Sequence, residues 1–169
     1  MASLKKGMVH RKGSISLMDV LNAVRANPEL YKAGAIVCFI GIVRGIGKDG
    51  SKVKKLEIEA AEEEANEVLS EICEKLMARD GIVDVHIHHF FGEFEVGEDL
   101  VYVVIAGRSR KDVFRALKDA VEMYKSEAPL WKKEYTEKGE YWVIEKHGEE
   151  HSHSSDDPHL GQKDAPGGT

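Results

Sequence analysis

The chain has 169 residues, enough for one domain of ordinary size, or one domain plus a tail, to bury a hydrophobic core. It is 42% hydrophobic and 32% charged with 7% aromatic residues, a globular composition rather than a disordered or fibrous one; a formal charge of −6 argues against wholesale nucleic-acid binding but leaves room for a local anion site. No window approaches the roughly 18 to 20 apolar residues of a membrane span, and Met1-Ala2-Ser3-Leu4-Lys5-Lys6 leads into no apolar signal stretch, so no membrane and a cytoplasmic location are expected.

Ser16-Leu17-Met18-Asp19 has the form of a capping box, and Leu17, Val20, Leu21 and Val24 follow at helical spacing until Asn27-Pro28, which predicts a short first helix. Residues 35–43 form an apolar run rich in β-branched residues, expected to be a strand buried on both faces. Gly45-Ile46-Gly47-Lys48-Asp49-Gly50 matches G-x-G-x-x-G, but no helix follows to receive a pyrophosphate. The sequence continues into the alternating Leu56, Ile58 and Ala60, so a flexible loop joining two hairpin-paired strands is expected. Arg44, at the end of the first of these strands, suits the rim of a pocket, where a guanidinium recognises phosphate or carboxylate through two donors; an ordinary surface ion pair is the alternative.

Residues 61–79 carry Ala65, Val68, Leu69, Ile72 and Leu76 at helical intervals before Asp80-Gly81. Two strands are predicted next: Val83, Val85 and Ile87 alternating with Asp84, His86 and His88, then the apolar residues 100–106. His86, His88 and His89 invite a metal reading, but no carboxylate or cysteine completes a recognised spacing, and an exposed strand face accounts for them as well. Cys38 and Cys73 stand far apart and read as small buried hydrophobes without the local positive charge that favours a thiolate, so any sulfur this protein moves is expected from elsewhere.

Residues 112–128 place Val113, Phe114, Leu117, Val121 and Tyr124 on one helical face, and Pro129 ends that helix. Around it lies the densest concentration of cations, Arg108-Ser109-Arg110 before the helix, Lys125 near its end, and Pro129-Leu130-Trp131-Lys132-Lys133-Glu134 beyond it. Pro129 is expected to redirect the chain so that Lys132 projects from a loop towards Lys125. Either this cluster is an anion-binding site or it is a solvated basic helix end that complements the dipole. Residues 141–144 suit a last short strand. From 146 onward the sequence is polar, histidine-rich and without periodicity, and is expected to be a flexible tail on a domain of residues 1–145; His147, His151, His153 and His159 there could bind metal only loosely. The mixture of strands, tight turns and helices predicts an α+β domain.

The segments 39–44 (Phe-Ile-Gly-Ile-Val-Arg), 56–60 (Leu-Glu-Ile-Glu-Ala), 92–99 (Gly-Glu-Phe-Glu-Val-Gly-Glu-Asp) and 128–134 (Ala-Pro-Leu-Trp-Lys-Lys-Glu) resemble, in order and spacing, the large, catalytic subunit family of molybdopterin synthase. The resemblance spans residues 35–145, and the proline-tryptophan-lysine motif is its most diagnostic part. It implies an α/β-hammerhead fold with additional antiparallel strands, and a homodimer of large subunits within a heterotetramer. Each large subunit would take sulfur from the thiocarboxylated C-terminus of a small ubiquitin-like subunit and pass it, twice, to cyclic pyranopterin monophosphate, with no cofactor. It implies catalytic roles for Lys125 and Lys132 and substrate binding by Arg44 and Arg110; Arg108, Trp131 and Lys133 join the substrate-binding candidates, although Trp131 could equally anchor the loop in the core. The family often carries His-Arg where Ser109-Arg110 stands, so a histidine acid/base role at that spot is ruled out. Gly167-Gly168 resembles the donor subunit's own terminus, but Thr169 blocks a glycine thiocarboxylate. A non-catalytic module that binds a ubiquitin-like tail is the alternative reading.

Overall fold

The computed structural model describes residues 3–143. The expected tail, its histidines, Gly167-Gly168 and Ile144 lie outside the described residues. In chain order the elements are β1 (Gly7–Arg11), α1 (Leu17–Arg25), a 3-10 turn (Leu30–Lys32), β2 (Ala35–Ile42), β3 (Val53–Ala60), α2 (Glu62–Met77), β4 (Ile82–Phe94), β5 (Asp99–Gly107), α3 (Arg110–Glu127), β6 (Leu130–Thr136) and β7 (Gly139–Val143). The seven strands follow the order β2-β5-β4-β3-β6-β7, antiparallel throughout, with β1 added parallel to β4. This is the expected mixed α+β architecture.

β4 organises the sheet. Residues 82–89 pair with β5, and the last three, Gly92 to Phe94, pair with β3. Gly92 stands at the change of partner with φ of 126°, a conformation that penalises any side chain. β3 in turn pairs with β6, so the sheet extends from the helix-covered half into a smaller three-stranded half.

β5 shows why one sheet holds two cores. Val101, Val103 and Ile105 pack with α2 and α3 residues such as Leu69, Ile72 and Ala120, while Leu100, Tyr102 and Val104 pack with Val20 and Val24 of α1 and with Ile58 and Phe94. Both faces are therefore covered, and truncating a fully buried Leu or Ile there would cost about 2–5 kcal/mol.

Covering both faces overturns several expectations. Asp84, His86 and His88 are buried, not exposed, because α1 packs over their side of the sheet and β1 pairs alongside β4 within it. β2 is an edge strand with only one face covered, so Ile40 and Ile42 are exposed, and so is Cys38, against the expectation of burial; Cys73 is buried as expected. The expected hairpin between β2 and β3 does not form: β2 pairs with β5, β3 pairs with β4 and β6, and only Ile46 and Lys52 bridge within the loop. That loop is well tied, with Gly47 N–H donating to the Ser51 carbonyl at 2.8 Å and Val53 N–H to that of Gly45 at 2.9 Å. β1 had no counterpart among the predicted strands.

Candidate active site

Three elements bring cations to one groove. Arg44 follows β2 just beyond a register irregularity at Gly41 and Ile42. Its backbone is held on both sides, because Val43 N–H donates to the Glu98 carbonyl at 3.1 Å, Gly97 N–H to that of Val43 at 2.9 Å, and Gly45 accepts from Val53. Lys125 lies in the last turn of α3, next to the buried Tyr124 that anchors this end of the helix. The helix stops at Glu127. Ala128 is extended and donates its N–H back to the Tyr124 carbonyl, Pro129 has no N–H to continue the ladder, and β6 starts at Leu130.

Lys132 is therefore on a strand, not on the expected loop, paired with Ile58 of β3 and Val143 of β7. Lys125 and Lys132 line the same two adjoining cavities. The larger, about 650 Å³, is walled by apolar residues such as Phe39, Ile42 and Val101, and its charged lining among the described residues is Arg44, Lys48, Lys125, Lys132 and Glu134. These four cations and one carboxylate, around an apolar trough, suit an elongated anionic ligand with an uncharged body.

The other sequence candidates lie elsewhere. A strand alternates its side chains, so Trp131 and Lys133 take the face of β6 opposite Lys132 and Glu134. Trp131 is 49% exposed, neither a groove wall nor a core anchor. The Lys133 ammonium sits 3.0 Å from Glu140 and over the Tyr135 and Trp142 rings. Arg108 pairs with Asp80 at 3.3 Å and Asp112 at 3.4 Å. Arg110 opens α3, fifteen residues or about 22 Å along the helix axis from Lys125. Within one chain, Arg108 and Arg110 do not join the lysines.

His89, read from sequence only as part of an exposed histidine run, floors the smaller cavity of about 210 Å³ alongside Tyr124, Lys125 and Lys132. It is 1% exposed. Its Nδ1 lies 2.9 Å from the Phe90 carbonyl and its ring packs edge-on against Tyr124 at 5.8 Å. Burial first, then the charge of Lys132 and more weakly that of Lys125, hold its pKa down at about 3, so the ring is neutral. Parity was the available signal: with Val85 and Ile87 facing the core, His89 belongs to their face and His86 and His88 to the other.

His86 and His88 have a different fate. His10 Nε2 lies 2.8 Å from His88 Nδ1, and His88 Nε2 lies 3.0 Å from His86 Nδ1. Asp84 lies 3.7 Å from His86 Nε2 and accepts from Lys6 at 2.5 Å and Asn27 at 3.0 Å. These rings are used on one another, and no group of three or more potential metal ligands occurs among the described residues. Burial raises both thiol pKa values, that of Cys73 to about 12, which disfavours either as a sulfur nucleophile. Among the described residues no helix is long and apolar enough to cross a membrane.

Residues 10–127 match the family model described as MoaE protein. The chain is 34% identical over 143 residues to a molybdopterin synthase catalytic subunit of Pyrococcus abyssi, covering 85% of this chain and 93% of that one. It is 35% identical over 143 residues to a probable molybdopterin synthase of Haloferax volcanii, covering 84% of this chain but only 55% of that longer relative. Among solved structures, molybdopterin synthase from Staphylococcus aureus superposes with a TM-score of 0.73 at 28% identity, over 84% of this chain and 99% of that one. A complex of subunits 1 and 2 of molybdopterin-converting factor from Helicobacter pylori shares the fold, with a TM-score of 0.63 at 22% identity over 82% of this chain and 90% of that one.

Proposed function

Since the chain belongs to the MoaE family of molybdopterin synthase catalytic subunits, we propose that its cationic groove moves sulfur from the thiocarboxylated C-terminus of a small ubiquitin-like subunit onto cyclic pyranopterin monophosphate. The observation that carries this reading is the convergence of Arg44, Lys125 and Lys132 on one apolar-walled groove. An extended, side-chain-poor peptide tail fits the trough along β2, and the pterin phosphate fits the cationic end.

In each transfer the thiocarboxylate sulfur attacks an oxygen-bearing side-chain carbon of the pterin, and in the transfer that does not open the ring that carbon's oxygen leaves as water. In the step that opens the ring, the new C–S bond replaces a C–O bond to the cyclic phosphate, whose oxygen leaves with the electron pair. Water then cleaves the acyl–sulfur bond, which leaves sulfur on the pterin and returns the donor as a carboxylate. Lys132 stabilises the negative charge that develops on the substrate. Lys125 delivers a proton or holds the thiocarboxylate carbonyl. Arg44 clamps the phosphate through its planar fork. Arg110 is too far along α3 to serve the groove of its own chain, so its role as a phosphate ligand requires a second copy, consistent with a homodimer inside a heterotetramer. Trp131, Lys133 and Arg108 have no part in this reading.

Mixing the protein with cyclic pyranopterin monophosphate and thiocarboxylated small subunit should give dithiolene, and a carboxylate-terminated small subunit should give none. Donor binding without product would leave a module that binds the ubiquitin-like tail and does no chemistry.

A further inference from the structure

β1 pairs with β4 alone, and on its other edge Val9 N–H donates to the Asn66 side chain at 2.7 Å. A five-residue strand with one neighbour is the kind of element that opens locally before the rest of a domain does. Its two faces are held differently. Gly7 and Val9 pack against α2, whereas Lys6 and His10 reach the buried polar residues of β4 from either end of the strand. Those residues form one chain: His10 Nε2 meets His88 Nδ1 at 2.8 Å, His88 Nε2 meets His86 Nδ1 at 3.0 Å, and His86 Nε2 faces the Asp84 carboxylate that Lys6 and Asn27 also hold. Each link between neutral imidazoles carries one hydrogen, so the three rings point the same way. The carboxylate beside His86 Nε2 selects the sense, with the hydrogen on Nε2 of all three rings and each Nδ1 bare. From β5 the chain meets Tyr102, whose hydroxyl donates to Asp99 at 2.6 Å; from α1 it meets Val20 and Val24, while Asp19 and Arg25 of that helix are exposed.

We propose that this chain is an acid-released latch: the neutral rings and the Lys6–Asp84 pair clamp β1 onto β4, and proton uptake by the rings freed when β1 lifts off opens it reversibly. With β1 closed, an added proton would put a positive charge into a desolvated chain that already ends beside Lys6. Burial accordingly lowers the pKa of all three rings, that of His86 to about 4 and that of His88 to about 3. With β1 lifted, His10 reaches water and His88 loses its partner. The closed form is therefore fully favoured above the ordinary histidine value of 6.5, and each freed ring makes opening about tenfold easier per pH unit below it. Val9 pairs with His89, so release of β1 also loosens the floor of the smaller cavity. The inference stands independently of the proposed function.

Two measurements on the full chain test it. Native-state hydrogen exchange, corrected for the intrinsic effect of pH, reads the opening of residues 7–11 against β5 as the reference for global unfolding. With one ring freed, protection of β1 should fall about thirtyfold between pH 8 and pH 5, and further with two, while β5 stays better protected. His10→Gln should reduce that dependence by removing a titrating ring, whereas Lys6→Met should lower β1 protection by a similar factor at both pH values. Exchange of β1 only in step with β5, or a pH dependence undiminished in His10→Gln, would overturn the latch. The second measurement needs no variant: long-range proton–nitrogen NMR at pH 7.5 should show Nε2 protonated and Nδ1 bare in His10, His86 and His88. A hydrogen on Nδ1 of any of the three breaks the chain and overturns the proposal.

Discussion

Lys125 and Lys132 line the same two cavities although one closes α3 and the other stands on β6, with the chain turning through Pro129 between them. The turn is short because the helix, the proline and the strand abut, and β6 is pinned by seven register pairs to β3. Backbone geometry thus brings two ammonium groups to the same cavities.

Strand parity on β6 makes neighbouring residues unequal. Lys132→Ala is expected to lower turnover by about a hundredfold or more, as removal of a donor aimed at developing charge does. Trp131→Ala and Lys133→Ala should each leave turnover within about twofold, as surface changes outside the groove do. A steady-state comparison of the three variants at matched donor concentration decides the matter; equal losses would place the working face of β6 wrongly.

Arg44→Lys should raise KM for the pterin about tenfold or more, because a point-charge ammonium cannot make the two parallel donations of a guanidinium. Lys48, which shares the groove on a tied loop, would not replace it. Titration of the pterin substrate against both proteins reads this directly, and an unchanged KM argues that Arg44 faces the donor tail instead.

Acid should destabilise the fold earlier than carboxylate chemistry alone would. Burial holds His88 and His89 at pKa values of about 3, against an ordinary 6.5, so below about pH 6.5 the unfolded chain takes up protons that the folded chain refuses. Their contribution is complete above that pH and drains away as pH falls towards 3, each ring costing up to about 1.4 kcal/mol per pH unit. Urea unfolding at pH 7.5 and at pH 5 should differ by a few kcal/mol; equal midpoints would show that these rings are not buried neutral.

Asp84 is 0% exposed and joins Lys6, Asn27 and His86, so Asp84→Ala strands several partners at once. A loss of about 3 kcal/mol is expected, below the upper range for a broken buried pair because Lys6 is 41% exposed and can turn to water. Chemical denaturation of the variant measures it, and a loss under about 1 kcal/mol would mean that water replaces the network.

Periodic segments were legible in sequence: the capping box at Ser16, the amphipathic α2 and α3, and the apolar β5 all lie close to where spacing predicts them. What failed was partner choice. The apolar run of β2 resembles a central strand, yet it is an edge, because which strand pairs with which depends on contacts far apart in sequence. β6 was taken for a loop because Lys132, Lys133 and Glu134 obscure its pairing with β3. In the site, residue types grouped Lys125 and Lys132 with Arg108 and Arg110, which are close in sequence to α3 but at its other end, and Arg44 was joined to the lysines only by the family resemblance. His89 was hidden by reading polar residues as exposed, on a sheet that buries both faces.

The most direct test of the central claim, that the convergent groove carries out sulfur transfer, is a single-turnover reaction of the wild-type protein, Lys125→Ala and Lys132→Ala with thiocarboxylated small subunit and cyclic pyranopterin monophosphate. Donor binding and thermal unfolding are measured on the same samples. The expected result is thiocarboxylate-dependent dithiolene from the wild type and almost none from either variant, with donor binding and folding retained. Normal product from both variants would contradict the assignment of the chemistry to this groove.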